Sequence, residues 1–279
     1  MPNYELRESE IRALGAGALD TYPSNGPFVA LAVRTDDPLA DVARTVEREV
    51  FQESFGNDAA TMTAEYGPYE KDSLFFLVID RRTALPAGAA RVIEGGGKTL
   101  DDAPDRIGID LSTVVAAHDM YDGRIWDFAT LAVLPEYRGG KSGLLVSSLL
   151  YRTFLNAGRR AEVRHVVMML DNRAYRGLSL IGAPFAPMAG SEPFEYLGSA
   201  STRALYLAFA TVESSIAEQG ERLRKLVGSF RGEIRARGLR RLVTRRIAAR
   251  ISHQVATGDG LDEHVALPGL ERRRYRSRR

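Results

Sequence analysis

Residues 131–143 read LAVLPEYRGGKSG. An apolar strand end runs into a proline, an arginine and then glycines that open a helix. Such a junction presents successive backbone N–H groups, and the positive end of the following helix adds to their field, so it suits an anion. Glycine matters here because a pyrophosphate must approach the backbone closely and a β-carbon would obstruct it. Arg138 and Lys141 add mobile positive charge. Two phosphate-loop patterns fail. A nucleoside-triphosphate loop needs glycine at position 135, which is Pro, and the spacing of Gly139, Gly140 and Gly143 does not fit G-x-G-x-x-G. A plain glycine-rich turn is the alternative.

Outward from this loop, Trp126 to Val133 (WDFATLAV) reads as the strand that feeds it, and Leu144 to Asn156 as a helix packed on a sheet. Upstream, Phe28–Arg34 and Leu74–Asp80 are apolar strands, and Gly88–Ile93 completes a hairpin with the second. Val42, Val46, Val50 and Phe51 fall at helical spacing within Pro38–Phe55. The connection 94–123 is expected to hold one helix near Leu111–His118. Downstream come a strand Val163–Leu170, a helix Arg173–Ile181, a short or irregular piece Phe185–Met188 and a closing strand Thr202–Thr211. Residues 1–27 are polar and punctuated by glycine and proline, so an irregular segment is expected. Strands that lead early and alternate with helices later predict a mixed α/β (α+β) sheet.

The chain has 279 residues, 44% hydrophobic and 27% charged, which excludes collagen-like and wholly disordered classes. No run approaches the roughly 20 apolar residues of a membrane-spanning helix. The absence of cysteine excludes disulfides, zinc-thiolate sites and cysteine nucleophiles. With no secretory signature in Met1-Pro2-Asn3-Tyr4-Glu5, a cytoplasmic address is expected. The net charge of +2 conceals a split: residues 1–219 hold 21 Lys+Arg against 30 Asp+Glu, and residues 220–279 hold 17 against 6. Leu223, Leu226, Val227, Phe230 and Ile234, then Leu242, Val243, Ile247 and Ile251 after Gly238, predict basic amphipathic helices across 212–279 that end in a disordered tail, ERRRYRSRR. Packing on the acidic domain, docking to an anionic membrane or a carrier protein, and nucleic-acid binding are the three readings. The last lacks interleaved aromatics and any reading module.

The surroundings of the loop carry a resemblance. V-x-P-E-Y-R-G-x-x-x-G is similar to motif A of the GNAT acyltransferases, with Arg138 and Gly143 at the ends of the family's [QR]-x-x-G-x-[GA] and Lys141 in place of its first glycine. Over about residues 40–210 the chain also resembles the acyl-homoserine-lactone (autoinducer) synthases and the long-chain N-acyl amino acid synthases. Their W-E-x-S-R-x-A-V strand matches Trp126 to Val133, with Asp127 for the glutamate and Thr130 for the arginine. Asp80 and Arg91 fall at matching places in the hairpin. Residues 190–198, GSEPFEYLG, are similar to a turn before the family's last strand.

The resemblance implies a GNAT-like domain over 28–211, with a twisted, mostly antiparallel sheet that splays between Trp126–Val133 and Val163–Leu170. It implies acyl-CoA or acetyl-CoA as co-substrate, or an acyl-carrier protein as donor, and a small-molecule amine acceptor. The donor would be held by Leu131, Ala132, Val133, Arg138, Gly139, Gly140, Lys141, Ser142 and Gly143. Asp127 is the candidate base, against a strand-end carboxylate paired with an arginine. Aligning the family's helix pattern puts Leu178 at the position of its tyrosine acid, so Tyr175 and Ser179 become the acid candidates beside a packing role. Asp80, Arg91, Trp126 and Thr130 are candidate substrate contacts. The four histidines are scattered, and no metal is expected. The alternative to catalysis is a silent acyl-CoA-binding or membrane-docked regulatory module, peripheral at the membrane's inner face.

Overall fold

The computed structural model describes residues 2–228, 236–261 and 267. In chain order the elements are α1 (Glu8–Thr21), β1 (Phe28–Arg34), α2 (Leu39–Phe55), α3 (Ala59–Tyr66), β2 (Ser73–Asp80), β3 (Leu85–Glu94), α4 (Gly97–Ile107) and α5 (Leu111–Ala117). There follow β4 (Arg124–Val133), α6 (Gly140–Arg160), β5 (Val163–Asp171), α7 (Asn172–Ile181), β6 (Ala186–Pro187), β7 (Phe194–Tyr196), β8 (Ser199–Ala208), α8 (Phe209–Gly228) and α9 (Ala236–Thr257). One sheet runs β1-β2-β3-β4-β5-β8-β6, with β7 also on β8. Every pairing is antiparallel except β4 with β5.

Both faces of the sheet are covered, which explains the unbroken apolar run LFFLVI within β2, a strand buried along its whole length. Leu74, Phe76 and Val78 point to a core shared with α6, α7, α8 and α9. Phe75, Leu77 and Ile79 point to the opposite core, where Val42, Val46 and Val50 of α2 meet them. Helix α2 stops at Gly56, whose φ of 79° is the left-handed ending that glycine supplies cheaply.

Two expectations are corrected here. The segment 1–27 is not irregular, because α1 occupies half of it. Gly15 reads as a helix breaker, yet a β-carbon there would lie 2.1 Å from the Ala84 carbonyl oxygen, so glycine lets α1 sit on the β2–β3 turn. The connection 94–123 holds two helices rather than one. Gly95 and Gly96, at φ 91° and 88°, turn the chain directly into α4.

The ladders define the feature that matters for function. β3 follows β4 from Trp126 to Val133, with a register shift that leaves Ala129 as a bulge between Phe128 (opposite Val92) and Thr130 (opposite Arg91). β8 follows β5 to Asp171. Between themselves, β4 and β5 are paired only from Arg124/Val163 to Asp127/Val167, and then they part.

The basic helices lie on the α6–α7 side. Val212, Ile216, Leu223, Ala248, Ala249 and Val255 join the core there. The Ser252 hydroxyl donates to the Ile181 carbonyl at 2.9 Å, and Arg152 donates to the Val255 and Ala256 carbonyls at 2.9 and 3.1 Å. Their apolar stripe is therefore largely used in packing, although Leu226, Val243 and Ile247 stay exposed. Helix α9 passes through Gly238 without a break. Phe230, Ile234 and the arginine-rich tail lie outside the described residues. Among the described residues no helix is long and apolar enough to cross a membrane.

Candidate functional site

Past Asp127, the β5-facing backbone groups of β4 have no strand to bond, because β5 has moved away. The gap is a cavity of about 640 Å³. Its walls are β4 from Asp127 to Leu131, the end of β5 from Met169 to Asp171, and the last turns of α2. Tyr66, Lys98 and Tyr196 line the end near Asp127, where the strands begin to part, while Arg138 and Arg173 lie beyond the strand ends at the wide end.

At the wide end, a 3₁₀ turn over Pro135–Tyr137 leads to Gly139 and Gly140, at φ 115° and 56°, and α6 begins. No atom of the chain outside their sequence neighbours stands within 4 Å of where a β-carbon at Gly139 or Gly140 would sit, so this face of the loop is open to a ligand. Gly143 serves another purpose: a β-carbon there would meet the Tyr137 carbonyl oxygen at 2.5 Å. It lets the first turn of α6 close over the loop. Lys141 and Ser142 are exposed at the helix start, where the backbone N–H groups lack intrahelical partners. Arg138 is not the mobile charge expected of it. Its Nε donates to the Val133 carbonyl at 2.7 Å, and its guanidinium pairs with Glu53 at 2.7 Å, which ties the loop to β4 and α2.

Asp127 is fully buried beside the first turn of α4. The Thr99 backbone N–H donates to Oδ2 at 2.7 Å and the Thr99 hydroxyl to Oδ1 at 2.7 Å. Gly97 makes this approach possible, since its β-carbon would lie 2.7 Å from Ile93 and 3.1 Å from Oδ2. Burial pushes the Asp127 carboxyl up to about 7, opposed by the two Thr99 donors and the charge of Lys98, and reinforced by Asp102. No arginine touches it. A carboxyl poised near neutrality on a cavity wall suits proton transfer.

Behind the same wall lies a second buried cluster. The Thr130 hydroxyl donates to Glu47, and Arg91 holds Glu47 at 2.7 Å and Glu70 at 3.2 Å. Arg91 also donates to the Tyr4 hydroxyl at 2.8 Å, and its guanidinium lies 4.6 and 4.7 Å from the Phe75 and Tyr66 rings. Glu70 continues to Arg44 at 2.7 Å.

The proposed site residues thus divide. Asp127, Thr130, Leu131, Val133 and Arg138 line the cavity, and Gly139 to Gly143 form the loop at its wide end. Ala132 points away into the α2 core. Trp126 is fully buried against Phe154, with its indole N–H unbonded, and does not reach the cavity. Asp80 accepts from the Tyr137 hydroxyl at 2.9 Å and the Arg82 N–H at 2.8 Å at the hairpin end, far along β2 from the cavity. Arg91 acts behind the wall and does not meet Asp80. Tyr175 packs near Phe185 with the Arg203 guanidinium 4.8 Å from its ring, and neither it nor Ser179 lines the cavity.

Sequence reading missed Glu47, Lys98, Thr99 and Tyr196 as cavity or cluster residues. Glu47 had a signal: it falls on the buried stripe Ala43, Val46, Glu47, Val50, where a carboxylate needs a partner. Among the described residues no group of His, Asp and Glu is placed to hold a metal ion.

The fold as a whole has counterparts among solved structures. FeeM, an N-acyl amino acid synthase from uncultured soil microbes, superimposes with a TM-score of 0.51 at 15% identity, over 67% of this chain and 93% of that one. The chain has the GNAT-like acyltransferase fold. The AHL synthase LasI matches with a TM-score of 0.48 at 11% identity, over 65% of this chain and 90% of that one. No protein-family model matches the chain, and no curated protein does. Within this GNAT-like fold, the matched share leaves about a third of the chain without a counterpart in FeeM.

Proposed function

We propose that the protein transfers an acyl group from a thioester to an amine by direct attack. The observation that carries this is the parting of β4 from β5 at Asp127, which places an open strand edge, an anion-suited helix start and a near-neutral carboxyl around one cavity. The loop Arg138–Gly143 fits the phosphates of the donor, because its open glycine face and the α6 N-terminus supply unbonded N–H groups. The unpaired edge of β4 from Ala129 to Leu131 fits the amide-bearing pantetheine arm. Coenzyme A and an acyl-carrier protein present the same arm, and both are compatible with that edge.

In the reaction, the amine nitrogen bonds to the thioester carbonyl carbon and the carbon–sulfur bond breaks. An incoming ammonium loses two protons, one to the Asp127 carboxylate, directly or through a water, and one to the departing thiolate. A free N–H of the β4 edge near Leu131 polarises the carbonyl oxygen as negative charge gathers on it. Thr99 fixes the Asp127 carboxyl in place, so its orientation does not have to be won during the reaction.

Calorimetric titration with acetyl-, octanoyl- and palmitoyl-coenzyme A, followed by thiol release across an amine panel, tests this. Binding with turnover is expected, and no binding to any of the three together with no turnover of an octanoyl-carrier protein overturns it. One observation favours a second reading, a thioester-binding module without turnover: Leu178, aligned with the family's tyrosine acid, is buried in the core. Binding without thiol release from any amine would select that reading.

A further inference from the structure

The two ends of the cavity differ in charge, and the difference bears on the acceptor. At the wide end stand the α6 N-terminus and Arg173, which makes no ion pair among the described residues. At the Asp127 end the one cation that lines the cavity among the described residues is already outnumbered. Lys98 is buried, pairs with Glu65 and lies 2.6 Å from Asp102. Arg91 holds Glu47 and Glu70, and Arg44 shares Glu70 and takes Asp41. Arg34 pairs with Glu94, and Arg106, 5.8 Å from the Tyr196 ring, is exposed and does not line the cavity. Asp127 has no cation in contact. The remaining walls are mostly aromatic or apolar, with Tyr66, Tyr196, Phe51 and Leu197 among them. The Thr99 and Thr130 hydroxyls are already donated to Asp127 and Glu47, and Ser54, Ser199 and Thr202 add neutral hydroxyls but no charge.

We infer that the acceptor is an apolar primary amine that carries no carboxylate. The inference rests on the acyl-transfer reading above and narrows it. An ammonium entering this end meets a net negative field and aromatic faces, both of which attract it. An α-amino acid carries its carboxylate one carbon from the attacking nitrogen, so it must bring that charge into the same field with no free cation to receive it. Lys98 keeps a third N–H, but its single positive charge is already outnumbered by the two carboxylates of Glu65 and Asp102, so a third carboxylate there adds net repulsion. Like charges brought together in this way are a strong discriminator.

The test uses octanoyl-coenzyme A and matched acceptors that differ by one carboxylate: tyramine with tyrosine, phenethylamine with phenylalanine, pentylamine with norleucine. The protein has no cysteine, so a thiol reagent reads the released coenzyme A without background from the chain. Each amine is expected to exceed its amino acid in kcat/KM by about tenfold or more. Tyrosine methyl ester, which keeps the bulk and removes the charge, should recover most of the tyramine rate. Amino acids that equal or beat their amines overturn the inference and leave acyl transfer standing. An ester as poor as tyrosine assigns the effect to bulk and also overturns it. No thiol release with any acceptor, from octanoyl-coenzyme A or from an octanoyl-carrier protein, overturns acyl transfer itself, and this inference with it. As a second arm, Glu65→Gln relieves Lys98 of one carboxylate. It should lower the tyramine-to-tyrosine ratio by about threefold or more, and an unchanged ratio overturns the electrostatic origin.

Discussion

Arg91 and Asp127 are both fully buried, within a few residues of each other across the β3–β4 ladder, yet their surroundings are opposite. Arg91 is saturated: two carboxylates, a tyrosine hydroxyl and two aromatic faces account for its charge and its donors. Asp127 has two donors from a single threonine, no cation in contact, and a place in the wall of the cavity. A buried charge with every partner in place is held in one state, and its work is architectural. A buried carboxyl left short of partners sits between two protonation states, and that makes it useful to chemistry.

The largest expected effect tests the second half of that contrast. Asp127→Asn should lower kcat by about 10²–10⁴-fold while donor affinity changes little, measured by thiol release beside calorimetry. Equal losses in both would make Asp127 a structural residue like Arg91. Next comes Arg91→Met, which strands Glu47 and Glu70. Urea unfolding should show a loss of about 3–5 kcal/mol, and a loss below 1 kcal/mol would mean that water reaches the cluster. Gly143→Ala pushes a β-carbon against the Tyr137 carbonyl, so the loop must shift by a few tenths of an ångström or more. Donor affinity should fall by about tenfold, or 1.4 kcal/mol, read by calorimetry with octanoyl-coenzyme A. Thr130→Val, which removes one donor from Glu47, should reduce stability by about 1–2 kcal/mol, read in the same urea series.

The pH dependence sharpens the comparison. The Asp127 carboxyl stands near 7 when folded, against 3.8 ordinarily. From about pH 4 to about pH 7 the unfolded chain gives up this proton while the folded chain keeps it. Burying Asp127 therefore lowers stability progressively as pH rises through that window. The rate, which needs the carboxylate, rises through the upper part of it. Thermal unfolding of Asp127→Asn and the parent should converge, or cross in favour of the variant, between about pH 5 and about pH 8. Parallel curves would show that the folded carboxyl titrates like an exposed one.

Much of the sheet was legible because its strands are short apolar runs bounded by turn residues, as in FVALAVR and LFFLVID. The glycine turn into α6 was legible too, since it lies in one continuous stretch with its own local chemistry, whereas the parting of β4 from β5 came only from the family resemblance which that stretch carries. The partners of the two buried charges were not. Thr99 reaches Asp127 across 28 residues, Glu47 reaches Thr130 across 83, and Tyr4 reaches Arg91 across 87. Nothing in the local pattern of Thr99 or Tyr4 distinguishes them from solvent-facing residues. Helix α1 was hidden for a different reason. A glycine that exists for close packing reads, in one dimension, as a glycine that breaks a helix.

The bulge at Ala129 has an arithmetic consequence. In a regular strand, residues 127 and 130 fall on opposite faces, because an odd separation changes sides. The ladder instead sets Asp127 opposite Ile93 and Thr130 opposite Arg91, two positions apart on β3 and hence on one face. A single uncounted residue thus changes the parity of the strand and brings the carboxyl and the hydroxyl to the same wall. Position 129 is therefore defined by its presence more than by its side chain. Many small residues can stand there, but removing it would turn either the half that carries Asp127 or the half that carries Thr130 and the loop to the wrong side of the sheet. In this strand, length is the constrained quantity and identity the negotiable one.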